Sequence, residues 1–313
     1  MAGLSAAAST VFETGGNATL LVSELDEKAP VLYRLVINGI TGQLDRDEKL
    51  LTLTKLNATQ YRTSMMSNTG RLDFFIENDP QTGDYAVVKI DPNAEDKTQR
   101  TEALYFSAAH QQLSRAYFNI TGAYQDFGFW DMVVNGPSKV VLLGRATQQG
   151  RQDRELVMAT LTAGSTELAV HPLKFPLNME AEGVIMKYNP VTAQYIVVAA
   201  GVNKRERFTY LGIARADMQA DSARAVFPEK ANAKSMELFG KKRGYEGVPQ
   251  DLFINKDGSF SIVWEELEDL SLQRQGGMMK SNTNAGNIAM LMFDKNGMET
   301  GNYFIPKNTI YQA

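Results

Sequence analysis

The chain contains no cysteine, which removes thiol nucleophiles, thiolate metal sites and disulfides together. Only two histidines occur, His110 and His171, in separate stretches, so no histidine-based triad or histidine-rich metal cluster can be assembled from near neighbours. No run of about 18 apolar residues is present, and no helical membrane span is expected. An excess of one charge is lacking too: 32 basic and 36 acidic residues give a formal charge of -4, too weak a field to hold a polyanion, so nucleic acid is not an expected partner. The opening "MAGLSAAAST" has neither the basic nor the apolar region of a signal peptide, and none is read in this chain. No cofactor and no metal are expected from any motif.

What is present is a recurring phrase. "LDFFIENDPQTGDYAVVKI", "DMVVNGPSKVVLLG", "VIMKYNPVTAQYIVVAA" and "DLFINKDGSFSIVW" each place a β-branched or aromatic run, an Asn-containing turn and a second such run in order. That is the wording of a hairpin, because Gly accepts positive φ and Asn or Asp tolerates it. Pro80 and Pro190 occupy equivalent turn positions, as do Tyr85 and Tyr195, and both pairs are 110 positions apart. One copy around Pro137 lies between them, so the period is roughly 55. Two shorter strand-like runs follow each hairpin, for example "TEALYFSA" and "QLSRAYFNI".

Units of four strands at this period are expected to form an all-β fold, a β-propeller of four-stranded blades. The units fall at about 5–60, 68–120, 126–175, 179–228 and 245–307 within a single domain spanning 1–313. Five blades are expected, or six if the chain is part of a longer one. Sustained helical periodicity is missing throughout.

The C-terminal wording is more specific. "DLFINKDGSFSIVWEELE", then a polar stretch, then "NIAMLMFDKNGMETGNYFIPKNT" resembles uncharacterised secreted or cell-surface propeller-like repeat proteins of Bacteroidota. The resemblance covers about the last 70 residues well and the earlier units loosely. It implies a propeller and an extracytoplasmic setting, periplasmic, cell-surface or secreted, and it implies no activity. In such a setting "DSA" fits a short O-glycosylation pattern that would make Ser222 a modification site, so a glycan is possible. "NAT", "NAT" and "NIT" at Asn17, Asn57 and Asn119 fit the N-glycosylation pattern.

Candidate sites follow from the expected architecture. Asp73, Asp131 and Asp251 stand at the starts of hairpin strands, where carboxylates from different units would meet at a channel mouth and share acid and base duties. The competing reading is that each binds backbone in its own strand entry. Glu265 opens an acidic run and could join them in a glycosidase-like pair. Phe129 and Trp130, beside Asp131, would suit stacking on a ligand, or would pack between blades. Two long polar insertions, 228–249 and 267–286, are read either as recognition loops, the first tipped by Lys241, Lys242 and Arg243, the second by Met278 and Met279, or as disordered or merely tolerated insertions.

The function expected from these readings is a non-catalytic binding or scaffold module of the bacterial cell envelope, contacting a protein partner through loops on one face. The alternative is a carbohydrate-active propeller enzyme using the channel-mouth carboxylates.

Overall fold

The computed structural model describes residues 7–66, 74–118, 124–150, 154–173, 180–203, 206–215, 224–225, 234, 237–239, 245, 247–275, 278–307 and 309–312. The chain divides into two compact units, Met1–His171 and Pro172–Ala313. The fold is all-β, and the expected four-stranded antiparallel units are found.

In the first unit, sheet 1 consists of β1 (Ala7–Thr14), β2 (Asn17–Asp26), β3 (Ala29–Ile37) and β4 (Leu44–Thr52). Sheet 2 follows with β5 (Phe74–Asn78), β6 (Tyr85–Ile90), β7 (Thr101–Phe106) and β8 (Gln112–Tyr117). Sheet 3 holds β9 (Tyr124–Asn135), β10 (Lys139–Gln148), β11 (Arg154–Thr162) and β12 (Ala169–Pro172). The second unit contains sheet 4, with β13 (Glu180–Asn189), β14 (Gln194–Asn203), β15 (Glu206–Arg215) and β16 (Arg224–Ala225). Sheet 5 has β17 (Val248–Ile254), β18 (Phe260–Gln275), β19 (Met278–Phe293) and β20 (Glu299–Ile305), and β21 (Thr309–Gln312) pairs with β19. Strand order follows chain order in every sheet, β21 apart.

The turns explain this local order. An Asx residue opens most of them, and its side-chain oxygen accepts the N–H two residues on: Asn38 from Ile40, Asp79 from Gln81, Asn189 from Val191 and Asp294 from Asn296. The 110-residue repeat is visible in atomic detail. Asp79 and Asn189 each begin a four-residue loop with proline first, and the loops end on Gly83 and Ala193, both at positive φ (77° and 53°).

Alternation then builds the cores. One face of sheet 2 (Tyr85, Val87, Leu104, Phe106) packs with Phe12, Leu21, Leu32, Leu51 and Leu53 of sheet 1 and its following loop. The other face (Ala86, Val88, Ala103, Tyr105, Ala116) packs with Met132, Val134, Val140, Leu142, Val157 and Ala159 of sheet 3. Strands covered on both faces need apolar side chains at successive positions, which is why Tyr85–Val88 reads as an unbroken buried run. In the second unit, Ile196 and Val198 of sheet 4 pack with Leu252, Phe260, Ile262, Trp264, Ala289, Leu291 and Phe293 of sheet 5.

A polar contact recurs beside each of these cores. The residue that ends the first strand of one sheet, or directly follows it, bonds a turn glycine of the next. Thr14 Oγ1 donates to Gly83 O (2.8 Å), Asp79 Oδ2 accepts from Gly136 N (3.0 Å), and Asn189 Nδ2 donates to Gly258 O (2.8 Å). Asp79 and Asn189 thus fix their own turn with one atom and the neighbouring sheet with another.

Two features depart from the sequence reading. A nine-residue helix, α1 (Ala58–Met66), follows sheet 1. Its signal is the reciprocal cap of "NATQ": Gln60 N donates to Asn57 Oδ1 (2.9 Å) and Asn57 N to Gln60 Oε1 (3.2 Å). That cap occupies the Asn57 side chain of one apparent glycosylation pattern. The polar stretch 267–286, expected as a loop, is instead mainly strand: Leu267 to Gln275 pairs with Met278 to Ala285, extending β18 and β19 beyond β17 and β20 as a ribbon.

The two repeat-equivalent turn positions give opposite expectations. Ala193→Gly should raise stability by about 0.5–1 kcal/mol, because it relieves a left-handed alanine. Gly83→Ala should lower it by more than about 1 kcal/mol, since its Cβ would lie 2.9 Å from Thr14 Oγ1 at positive φ. Asn189→Ala, which leaves the buried Gly258 carbonyl without its donor, should cost about 1–3 kcal/mol. Urea unfolding of the three variants measures all of these.

Candidate functional site

The first strands of four sheets carry one extra residue relative to their partner strand: Ser9, Trp130, Glu182 and Gln250. A bulge interrupts the ladder and leaves backbone groups to be satisfied locally. Asp131 and Asp251 directly follow the extra residue, and each accepts the next backbone N–H on its own Oδ1, from Met132 at 2.8 Å and Leu252 at 2.7 Å. Asp126, after a second bulge at Gln125 in β9, does the same for Phe127 (2.9 Å). Sequence reasoning missed Asp126. Bulge followed by aspartate is therefore a repeated backbone device in this chain.

Asp73 lies outside the described residues. Counting back from the turn-opening residues also separates it from the other two. Asp131 and Asp251 are four positions before Asn135 and Asn255, whereas the corresponding turn opens at Asp79, so Phe75 holds the equivalent place. Phe75 packs against Phe129 of sheet 3 at 4.5 Å between ring centroids, which makes Phe129 part of the junction between sheets 2 and 3. Trp130 is the half-buried extra residue of its bulge.

Register places Asp251 and Glu265 on one face of sheet 5. Asp251 is paired in a row with Val263, Met290 and Tyr303, and Glu265 with Val248, Ile288 and Ile305. Glu265 Oε1 is held by Lys307 Nζ at 2.5 Å. The same face carries Phe253, in a row with Ser261 and Met292. Its large apolar side chains are open to solvent: Phe253 is 51% exposed, Tyr303 59% and Ile305 55%. The opposite face is the buried one.

Met278 and Met279 begin β19 and pair with Gln275 and Arg274, so they belong to the ribbon and not to a loop. Lys241, Lys242, Arg243 and Ser222 lie outside the described residues. Tyr245, from the first insertion, is buried, and its phenol donates toward the carbonyls of Trp264 (3.0 Å) and Asn287 (2.7 Å). Burial, and then the Glu266 charge, push that phenol above its ordinary value.

Two buried charge clusters lie in the first unit, and neither was read from the sequence. Glu102 of β7, fully buried, is paired with Lys89 Nζ (2.7 Å) and with Arg115 Nε, and both cations lie near the Tyr117 ring. At the junction of sheets 1 and 2, Arg34, only 3% exposed, donates to Glu48 and to the Tyr85 hydroxyl, and its guanidinium stands 5.0 Å over the Phe106 ring. Tyr85 in turn meets His110 Nδ1 at 3.1 Å. Burial, opposed by the Arg34 charge, pushes the Tyr85 phenol up to about 12. Although burial works against it, the Arg34 bond and charge hold the Glu48 carboxyl below its ordinary value.

Among the described residues no three His, Cys, Asp or Glu side chains gather as a metal-holding group, and no helix is long and apolar enough to cross a membrane. No protein-family model matches the chain, and no curated protein sequence matches it. Several solved structures are similar to it at low identity. The polysaccharide lyase Uly1 is similar with 11% identity and a TM-score of 0.40, over 91% of this chain and 57% of the lyase. The β-propeller domain of the Trilobed protease from Pyrococcus furiosus, described with an open velcro topology, is similar with 9% identity and a TM-score of 0.43, over 97% of this chain and 83% of that one. Pyrococcus horikoshii acylaminoacyl peptidase is similar with 7% identity and a TM-score of 0.44, over 96% of this chain and 46% of the peptidase. This chain thus spans little more than half of the lyase and less than half of the peptidase.

If Asp251 serves its own backbone, Asp251→Asn, which keeps the acceptor oxygen, should change stability by less than about 0.5 kcal/mol, and Asp251→Ala should cost about 1 kcal/mol. Thermal unfolding of the pair tests this; an equal loss in both variants would point to a need for the charge itself.

Proposed function

We propose that the five sheets are blades of a β-propeller and that the protein is a non-catalytic binding or scaffold module of the bacterial cell envelope. Its partner is a protein that seats apolar anchors against the open face of sheet 5. The observation that carries this reading is the exposure of Phe253, Tyr303 and Ile305 on one face, with Met290 and Met292 between them. Aromatic and methionine side chains are the ones that interfaces favour, and the polar margin of this face, Asp251 and the Glu265–Lys307 pair, suits a rim. The adaptable methionines fill gaps against a partner of irregular shape.

Support for blades comes from the antiparallel four-strand meanders, the apolar faces packed sheet against sheet within each unit, and the repeated bond from a strand end to the next turn glycine. The envelope setting rests on the resemblance of the last 70 residues alone. The use of Asp131 and Asp251 as backbone acceptors favours this reading over a glycoside-processing one, which needs two carboxyl groups free to face a sugar.

A photo-crosslinking residue placed at Tyr303 should yield a protein adduct in native cells, while one at the exposed Gln99 should not. With the crosslinking residue kept at position 303, Phe253→Ser combined with Ile305→Ser should abolish that capture with a melting temperature within about 2 °C of the parent. A monomer with no adduct at Tyr303, or sugar-polymer cleavage lost in Asp251→Asn, would overturn the reading.

A further inference from the structure

We propose that the junction between sheets 1 and 2 is an acid-sensitive latch, held shut while His110 is neutral and released when that ring takes up a proton. The argument starts from the hydroxyl of Tyr85, a fully buried residue. Arg34 Nη1 can only donate, so the phenol oxygen accepts from it, and the phenol proton then has His110 Nδ1, 3.1 Å away, as its acceptor. In this arrangement, the one that gives the buried phenol proton a partner, the neutral ring carries its lone pair on Nδ1 and its proton on Nε2. Protonating Nδ1 converts the acceptor into a donor, strands the phenol proton and adds a second cation beside Arg34.

The charges facing the ring do not compensate. From β3 comes Arg34, and from β4 come Arg46 and Glu48, with the Glu48 carboxylate already shared by both arginines. From β6 comes Tyr85, and just ahead of it Asp84, whose Oδ1 accepts the Ala108 N–H and whose Oδ2 lies toward the Tyr105 hydroxyl. Burial, and then the Arg34 charge, hold His110 down to about 4.

His110 also sits where loosening would spread. It adopts φ 63°, a left-handed conformation unusual for a side chain of this size, at the end of the β7–β8 turn. The same turn receives the strand end of sheet 1, since Thr14 Oγ1 reaches Ala108 O at 3.2 Å as well as Gly83 O. One turn thus carries both the ring and the anchor of β1.

The sign follows from linkage. His110 binds its proton less readily in the folded chain than in the unfolded one, whose histidines titrate near the ordinary value of about 6.5. Stability from this group is complete above that value, is lost as pH falls toward about 4, and changes no further below it.

Because the chain has two histidines, the ring C–H proton signals of the whole protein can be followed directly, and His110→Asn assigns them while retaining a residue that tolerates positive φ. Two results are expected. The His110 signal titrates near pH 4. On moving from pH 7.5 to pH 4.5, amide exchange in β3 and β6, corrected for its intrinsic pH dependence, rises by about tenfold more in the parent than in His110→Asn, with β10 as an internal reference. His171→Asn should behave as the parent. A His110 signal at the ordinary histidine value, or equal acid response with and without His110, would overturn the proposal. If His110→Asn does not fold, the parent titration decides alone.

Discussion

A bond between the end of one sheet's first strand and the turn glycine of the next sets the spacing on which the rest of each unit depends. Apolar burial supplies most of the cohesion between sheets, but it is not directional, and smooth faces of valine, leucine and alanine would slide. Thr14 on Gly83, Asp79 on Gly136 and Asn189 on Gly258 fix the slide at one place per junction. At Gly83 the glycine is a steric requirement as much as a conformational one. A side chain on Gly83 would occupy the space through which Thr14 approaches.

Charge is used inside the first unit in a similar positional way. Glu102 between Lys89 and Arg115, and Arg34 between Glu48 and Tyr85, are buried groups that find partners across strands or across sheets. Such clusters contribute little net cohesion compared with apolar residues of the same volume, yet each tolerates only one arrangement of its neighbours. They make a shifted register costly, because a one-residue slip would bury a lone charge.

The repeat was legible because turn chemistry is local. Asn or Asp followed by proline or glycine, between β-branched runs, needs no knowledge of the rest of the chain, and Pro80 with Pro190 marked the same loop in two sheets. The 267–286 ribbon was not legible: its Ser, Asn, Gln and Gly residues show no apolar alternation and read as loop, and its pairing is defined only by the facing strands. The role of Asp131 and Asp251 depended on bulges one residue earlier, which are defined only by the partner strand. Arg34, Tyr85 and His110 come from three places in the sequence and carry no common motif; only the packing of β3 against β6 brings them together. The helix at Asn57 is the exception: the "NATQ" cap is readable from the sequence alone, and its first three residues also spell a glycosylation acceptor.

Each of the five sheets is cut from a single continuous stretch, with neighbours in space also neighbours in the chain except where β21 returns to β19. Closing such a sheet requires only short loops, so each can assemble as soon as its own fifty or so residues leave the ribosome, without waiting for a distant strand. Within each unit the sheets can therefore be built stepwise along the chain, a finished sheet offering its successor a prepared apolar wall and a strand end already poised to grip its first turn.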